Sequence, residues 1–249
     1  MASKNAIIET EGLTKSFDGL VAVNDVTWTL RDDRTMGILG PNGAGKSTLF
    51  NLIAGVLQPT AGRVYLNGED ITDLPANKRT RRGLVKTFQT NNLFEGETVL
   101  DNIKIAAQVN EGVFNVFKPA ETVSAVNQRA EEILETLQLT EVEDELVDEL
   151  SHGNQRKVEI GIAMATNPDV VLLDEPTSGV SNEEMNVLQK MFRELLTEQS
   201  MNFVFIEHNV DFLMNIVDEV TVLHDGEIMA QDTPAEIMDN EDVQRIYLD

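Results

Sequence analysis

Residues 35–55 read TMGILGPNGAGKSTLFNLIAG, and this stretch decides the fold. Met36–Leu39 is an apolar run as long as a buried strand, and apolar residues recur at helical spacing from Leu49 to Ile53. Between them, residues 40–47 match the phosphate-binding pattern G-x-x-x-x-G-K-[S/T] at every position. A strand, a glycine-rich loop and a helix in this order predict a P-loop, and therefore an α/β fold with a parallel sheet.

The chemistry of this loop is anion binding. Its glycines let several backbone N–H groups point into one concavity, and the helix that begins near Lys46 adds the positive end of its dipole. We expect Lys46 to reach the β- and γ-phosphates of a nucleotide and the Ser47 hydroxyl to bind Mg²⁺. The alternative is an ordinary glycine-rich turn, which needs the pattern to arise by chance, on the order of once in a hundred chains of this length.

Composition restricts the partners of the chain. Its 249 residues suit one domain, or one core domain with an inserted subdomain. No apolar run approaches the roughly 18 residues of a membrane span, and no signal peptide is recognised. Asp and Glu number 43 against 19 Lys and Arg, a formal net charge of −24. Such a surface repels nucleic acid and anionic lipid, so we expect no nucleic-acid partner.

The acidic residues are spread along the chain, with one dense run at residues 141–149. The hypothesis that accounts for this distribution is adaptation to a salt-rich cytoplasm. The Debye length falls from about 8 Å at physiological salt to about 3 Å at 1 M, so molar salt screens repulsion between neighbouring carboxylates. Full stability at low salt would contradict the hypothesis.

Hydrophobic periodicity predicts the remaining elements. Residues 90–165 are expected to be mainly helical, with 141–149 as an exposed amphipathic helix, and 182–198 and 210–217 as further helices. Phe17 is expected on a connection between two strands. Strands are predicted at 6–13, 23–30, 62–66, 84–88, 170–173, 203–206, 220–224 and 227–230.

A basic cluster stands out in so acidic a chain. Five of the 19 basic residues fall in nine positions: Lys78, Arg79, Arg81, Arg82 and Lys86. Two interpretations remain open, a solvated helix end and a docking surface.

Four further sites accompany the P-loop, each weak alone. Residues 170–175, VVLLDE, form an apolar strand that ends in two carboxylates, and Gln89 also ends a predicted strand. His208 follows another strand, and residues 150–155, LSHGNQ, precede a helix. The carboxyl ends of parallel strands share one crevice in α/β sheets, so these side chains are candidates for one site.

In this order and spacing, the motifs resemble those of the nucleotide-binding subunits of ATP-binding cassette (ABC) transporters, over essentially the whole chain. The resemblance implies a P-loop NTPase core sheet with an antiparallel β subdomain and an inserted helical signature subdomain. It implies a single domain over residues 1–249. Residues 1–89 and 166–249 would form the core and β subdomain, and 90–165 the helical subdomain.

The resemblance also implies a site for ATP and Mg²⁺ between two subunits, with the Walker A loop of one facing the signature of the other. The general base would be Glu175, His208 would sense the γ-phosphate, and Lys46 would bind it. Mg²⁺ would be held by Ser47, Gln89 and, through water, Asp174. The implied nucleotide contacts are Phe17 at the adenine, Gly40, Pro41, Asn42, Gly43, Ala44, Gly45, Lys46, Ser47, Thr48 and Gln89, with Ser151 and Gly153 reaching the opposite site.

Two motifs depart from the family pattern. In the signature, usually LSGGQ, His152 replaces a glycine and Asn154 the glutamine, while Gly153 is kept. In the D-loop, Ser181 replaces the usual aspartate, and its spacing from Glu184 predicts a capping box instead. Both departures could alter turnover, and neither removes the base or the lysine.

Within the family, the chain resembles most the ATPases of branched-chain amino acid importers. The resemblance is carried by residues 85–89 with 93–94, the insert 112–118, and residues 155–160, 206–208 and 242–248. It implies a second ATPase subunit, identical or different, transmembrane permease subunits that dock after Gln89, and a solute-binding protein reached through the permease. It places the chain peripherally at the cytoplasmic face of the membrane.

Alternatives remain open. Importers of urea or short amides are close relatives, and the ATPase of lipopolysaccharide export shares parts of the C-terminal pattern. An ABC-type ATPase acting on DNA or ribosomes fits poorly with the charge of −24. A clamp that binds nucleotide and barely hydrolyses it is disfavoured by Glu175 and His208.

Overall fold

The computed structural model describes residues 6–32, 34–87, 93–108, 120–198 and 201–248. The strands are β1 Ala6–Phe17, β2 Leu20–Arg31, β3 Met36–Leu39, β4 Ala61–Leu66, β5 Glu69–Asp70, β6 Leu84–Lys86, β7 Val170–Asp174, β8 Asn202–Ile206, β9 Glu219–His224 and β10 Glu227–Asp232. The helices are α1 Lys46–Ile53, α2 Ala76–Thr80, α3 Val99–Ala107, α4 Ala120–Thr136, α5 His152–Ala165, α6 Asn182–Glu198, α7 Val210–Met214, α8 Pro234–Asp239 and α9 Glu241–Leu248. No helix in these ranges is both long and apolar enough to span a bilayer.

A six-stranded sheet forms the centre of the protein, in the order β10-β9-β3-β8-β7-β6. Strands β3 and β6 to β9 run parallel, and β10 closes one edge as the antiparallel arm of a hairpin with β9. Because parallel strands end at the same edge, the P-loop after β3, the carboxylates after β7 and His208 after β8 come together there. The predicted α/β fold is confirmed.

Both faces of this sheet are buried along β3, β7 and β8, which explains why these strands are almost continuously apolar. Val171 and Leu173 belong to the core formed with α3 to α8, whereas Val170 and Leu172 belong to the core formed with α1 and the second sheet. Successive side chains of a strand point to opposite faces, so a strand covered on both sides needs an apolar residue at every position.

A second sheet, of order β2-β1-β4-β5, is antiparallel throughout. The buried Trp28 indole N–H of β2 donates to the Thr221 hydroxyl of β9 over 2.9 Å and joins the two sheets. The prediction that Phe17 lies on a connection is wrong. Phe17 is the last residue of β1 and pairs with Leu20, because the two-residue turn at 18–19 lets both strands continue to their ends.

The helices α3, α4 and α5 pack on one another, but residues 141–149 do not form the predicted helix. They contain only short 3₁₀ turns at Thr140–Val142 and Val147–Glu149. The first N–H groups of α3 explain this, since Val99 donates to the Glu145 carbonyl and Leu100 to the Glu143 carbonyl, over 3.1 and 3.0 Å. A continuous helix would use those carbonyls internally.

Helix α6 has the predicted bounds, whereas α7 ends at Met214 instead of residue 217. Asn215 ends α7, because its side-chain amide donates to the Asp211 carbonyl and its own carbonyl accepts from Arg193 of α6. The capping box at the start of α6 is confirmed. The Ser181 hydroxyl accepts from the Glu184 N–H, and the Glu184 carboxylate accepts from the Ser181 N–H.

The basic cluster at residues 78–86 is not one surface. Arg79 is fully buried, and Lys86 is nearly buried against Asp174. Arg82 binds Glu69 at the surface. The interpretation of all five side chains as a solvated helix end is therefore wrong, and so is their interpretation as a single docking patch.

Candidate nucleotide site

The P-loop is held between β2 and the turn after β9. Gly45, the residue before α1, has φ of +99°, and a Cβ atom there would lie 2.3 Å from the Ala22 carbonyl oxygen of β2. On the other side, the Gly226 N–H donates to the Ala44 carbonyl over 3.0 Å. Only glycine fits at position 45, because both the backbone angle and the close approach exclude a side chain.

Lys46 is 6% exposed and is oriented by the loop itself. Its ammonium group donates to the carbonyl oxygens of Gly40 and Pro41, over 2.6 and 3.0 Å. Burial lowers the pKa of Lys46, while the negative charges of Glu175 and Asp174 oppose this shift. Because both acceptors are neutral carbonyls, the lysine charge remains available to an anionic ligand.

Asp174 ends β7 in a position suited to a cation. Its Oδ2 atom lies 3.0 Å from the Lys86 ammonium, and both side chains are buried. Its Oδ1 atom is buried without a hydrogen-bond partner in the described structure. A buried carboxylate oxygen left without a donor suits a hydrated Mg²⁺, because hard cations prefer oxygen ligands and Mg²⁺ usually keeps several waters.

Glu175 and His208 are in direct contact. The Nε2 atom of His208 lies 2.9 Å from Oε1 of Glu175. Glu175 has φ of +53°, which is costly for a residue with a side chain, and its N–H donates to the Ile206 carbonyl at the end of β8. Strained backbone of this kind persists where the surrounding structure fixes a functional side chain.

Glu207 also belongs to this site, although the sequence indicates it only within the segment 206–208 and predicts no role for it. It is buried, and its two carboxylate oxygens accept from the backbone N–H groups of Thr177 and His208, over 2.8 and 3.1 Å. Burial raises the pKa of Glu207. It ties the loop after β7 to the loop after β8, and so fixes Glu175 and His208 relative to each other. In the sequence, Glu207 is only the residue before His208, and no local pattern predicts that it binds the N–H group of Thr177.

One cavity of about 200 Å³ brings much of the predicted site together. Its lining consists of Ala22, Asn42, Gly43, Ala44, Gly45, Lys46, Ser47, Thr48, Glu175 and His208. Behind this lining, Gly40 and Pro41 hold Lys46, and Asp174 precedes Glu175.

Three predicted residues lie apart from this lining. Phe17, 41% exposed, lies at the tip of the β1–β2 hairpin, where the Lys15 ammonium is 5.1 Å from its ring centroid. Ser151 and Gly153 lie at the start of α5, where the Ser151 hydroxyl accepts from the Asn154 N–H over 3.3 Å. The prediction for Gln89 falls outside the described residues, as does the insert at 112–118.

Comparison with known proteins identifies the family. Residues 23–178 match the sequence profile described as ABC transporter. The chain is 36% identical over 248 residues to BraF of Pseudomonas aeruginosa, a high-affinity branched-chain amino acid transport ATP-binding protein, with 97% of both chains covered. It is 31% identical over 243 residues to LptB of Haemophilus influenzae, a lipopolysaccharide export system ATP-binding protein, covering 98% of this chain and 97% of LptB.

Solved structures agree with this result. The fold matches MJ1267, an ATP-binding cassette of an ABC transporter, with a TM-score of 0.85, 33% identity and coverage of 97% of this chain and 98% of that one. It also matches a dimeric structure of the bacterial ABC transporter cassette MJ0796, with a TM-score of 0.77, 25% identity and coverage of 91% and 98%. The chain therefore belongs to the ABC transporter family, as an ATP-binding subunit that hydrolyses ATP.

Proposed function

We propose that this chain drives an importer of branched-chain amino acids by closing as a dimer on ATP and opening after hydrolysis. The observation that carries the hydrolytic part is the contact of Glu175 with His208 at the edge of the P-loop cavity. A carboxylate beside a phosphate site can accept a proton from an attacking water, and a histidine bonded to it can orient both.

The other predicted site residues bind the nucleotide and the metal in this proposal. Lys46 and the backbone N–H groups of residues 42–48 bind the phosphates of ATP. Ser47 and Asp174 would hold Mg²⁺ together with Gln89, and the bound ion would neutralise charge that develops on the transferred phosphoryl group. When the Nε2–H of His208 donates to Glu175 Oε1, the other carboxylate oxygen remains free to accept a proton from water.

Closure as a dimer is supported by the residues that the cavity does not use. Ser151 and Gly153 carry the signature but do not line the cavity around Lys46. In the proposed dimer they serve the ATP of the second subunit. MJ0796, a similar bacterial ABC transporter cassette, has a dimeric structure, which supports a dimer here. The second subunit is either a copy of this chain or a related one.

A groove between the core and the helical layer suits the permease. An apolar cavity of about 220 Å³ lies between α2, β6 and α5, with Ala54, Leu84 and Ile162 in its lining. Lys86 and Glu159 supply charge at its wall. A permease helix with an apolar face fits this groove, and it would hold the subunit at the cytoplasmic face of the membrane. A solute-binding protein would then act through the permease.

The proposal that the solutes are branched-chain amino acids rests on similarity to BraF. Similarity to LptB leaves an export system as an alternative. The test is uptake of radiolabelled leucine, isoleucine and valine by cells that lack this gene. We expect loss of uptake that is restored by the wild-type chain and not by Glu175→Gln. Normal branched-chain uptake, with loss of urea or acetamide uptake or a defective cell envelope, would contradict the proposed solute and identify the alternative.

A further inference from the structure

Glu184, in the first turn of α6, reaches back to the start of α5. Its Oε1 atom accepts from the Gly153 N–H over 3.2 Å. Its Oε2 atom accepts from the Ser181 N–H and hydroxyl, over 3.1 and 2.8 Å, and the Ser151 hydroxyl is close enough to lower the pKa of this carboxylate. One carboxylate thus joins the signature at residues 150–155 to the D-loop at residues 178–181.

The hydrogen bonds around this carboxylate favour its charged form. Hydrogen bonds from Ser181, Ser151 and Gly153 lower the pKa of Glu184 to about 2. The close approach depends on glycine, because a Cβ atom at position 153 would lie 2.9 Å from Glu184 Oε1. Because residue 153 is glycine, its N–H is accessible to an anionic acceptor, and in this structure that acceptor is Glu184.

We propose that Glu184 takes the place of the γ-phosphate at the signature: it accepts hydrogen bonds from the same donors that the ATP of the second subunit uses on closure. This inference rests on the dimeric mechanism proposed above. Ser151 and Gly153 have one hydroxyl and one N–H to offer, and a carboxylate and a phosphate cannot both accept them at close range. Closure therefore requires Glu184 to release these two donors.

Ser181 of the D-loop supports the same role of Glu184. It supplies two of the donors to Glu184, and these bonds can keep the carboxylate beside the D-loop after it leaves the signature. An aspartate at position 181, usual in the family, would place a second carboxylate against Glu184 and repel it. The unusual D-loop residue and the glutamate three positions later thus act as a pair.

The test measures the dissociation constant of the ATP-bound dimer by sedimentation, with every variant built on Glu175→Gln so that ATP is not consumed. Glu184→Gln keeps the shape of the side chain and a carbonyl acceptor but removes the charge. We expect it to tighten the dimer about tenfold. Glu183→Gln is the matched control, since it removes the same charge from an exposed neighbour, and it should change the constant less than about twofold.

The outcomes are distinct. Equal affinities for the Glu184→Gln and Glu183→Gln dimers would overturn the inference while leaving the dimeric mechanism in place. A weaker Glu184→Gln dimer would also overturn it, because the carboxylate would then support the signature instead of competing with ATP. Absence of an ATP-dependent dimer in every variant, the Glu175→Gln parent included, would refute closure of two copies of this chain and the inference with it. Thermal unfolding verifies that each variant is folded.

Discussion

Replacement of Arg79 by methionine should destabilise the protein severely, although Arg79 does not line the P-loop cavity. The guanidinium is fully buried and donates to four backbone carbonyls: to Leu52 and Ile53 over 2.8 and 2.7 Å, to Thr72 over 2.7 Å and to Leu74 over 2.9 Å. Two of these carbonyls end the P-loop helix α1, so Arg79 caps its C-terminus.

The magnitude follows from these bonds. A hydrogen bond to a charged group contributes about 1.5–3 kcal/mol, so four would sum to roughly 6–12 kcal/mol before the cost of burying the charge. That cost is substantial, because burial lowers the pKa of Arg79 to about 10. Leu52 also retains a bond from the Gly55 N–H, which leaves three carbonyls to lose their donor. We therefore expect Arg79→Met to cost about 3–5 kcal/mol, a large share of the roughly 5–15 kcal/mol of a typical domain.

The assay is urea unfolding in molar KCl, followed by the fluorescence of Trp28, the single tryptophan, which is 1% exposed. Arg81→Met is the matched control, because it removes the same charge two positions away from an exposed side chain. The control should change the free energy of unfolding by less than about 0.5 kcal/mol. A loss below about 1 kcal/mol for Arg79→Met, or an equal loss for Arg81→Met, would refute the reasoning.

Three other predictions concern the site. Lys86→Met leaves the buried Asp174 charge unpaired and should cost about 3–5 kcal/mol in urea unfolding. Adding Asp174→Asn should restore much of this loss, and strictly additive losses would show that the pair does not interact. Gly45→Ala should abolish binding of a fluorescent ATP analogue. Gly43→Ala is the control, because a Cβ atom there meets no atom within 4 Å, and it should weaken binding only through backbone strain. Equal effects of the two substitutions would contradict the steric argument. The pKa of Glu184 in the folded protein lies below its ordinary value of 4.5. The ionised Glu184 side chain therefore adds to the free energy of unfolding above pH 4.5, and this contribution is lost as the pH falls towards 2. Wild type should therefore lose more stability than Glu184→Gln over that interval, and parallel pH curves would exclude the contribution.

Local signals in the sequence predicted the elements that depend on local chemistry. The strand at Met36–Leu39 and the helix at Asn182–Glu198 have the predicted bounds, because an apolar run and a capping box act within a few residues. Asp18-Gly19 is also a local signal, since it is a common two-residue turn with positive φ at both residues, but the prediction overlooked it and ended the strands at residues 13 and 23.

Charged residues whose partners are distant in sequence could not be predicted. Arg79 and Arg81 look alike in the sequence, yet only Arg79 meets carbonyls from α1. Glu184 and Glu207 likewise receive their roles from loops that the fold brings to them. Periodicity detects which face of an element is apolar, but it carries no information about which buried charge finds a partner.

The most direct test of the account is light scattering of Glu175→Gln with and without Mg-ATP, at low and at molar KCl. If Glu175 is the base, as proposed, its replacement should trap ATP and hold the dimer closed. We predict a dimer only with ATP, and more dimer at high salt, because closure brings together two chains of net charge −24 each. A dimer that forms equally without ATP, or no dimer with ATP at either salt concentration, would contradict closure of two copies of this chain on ATP.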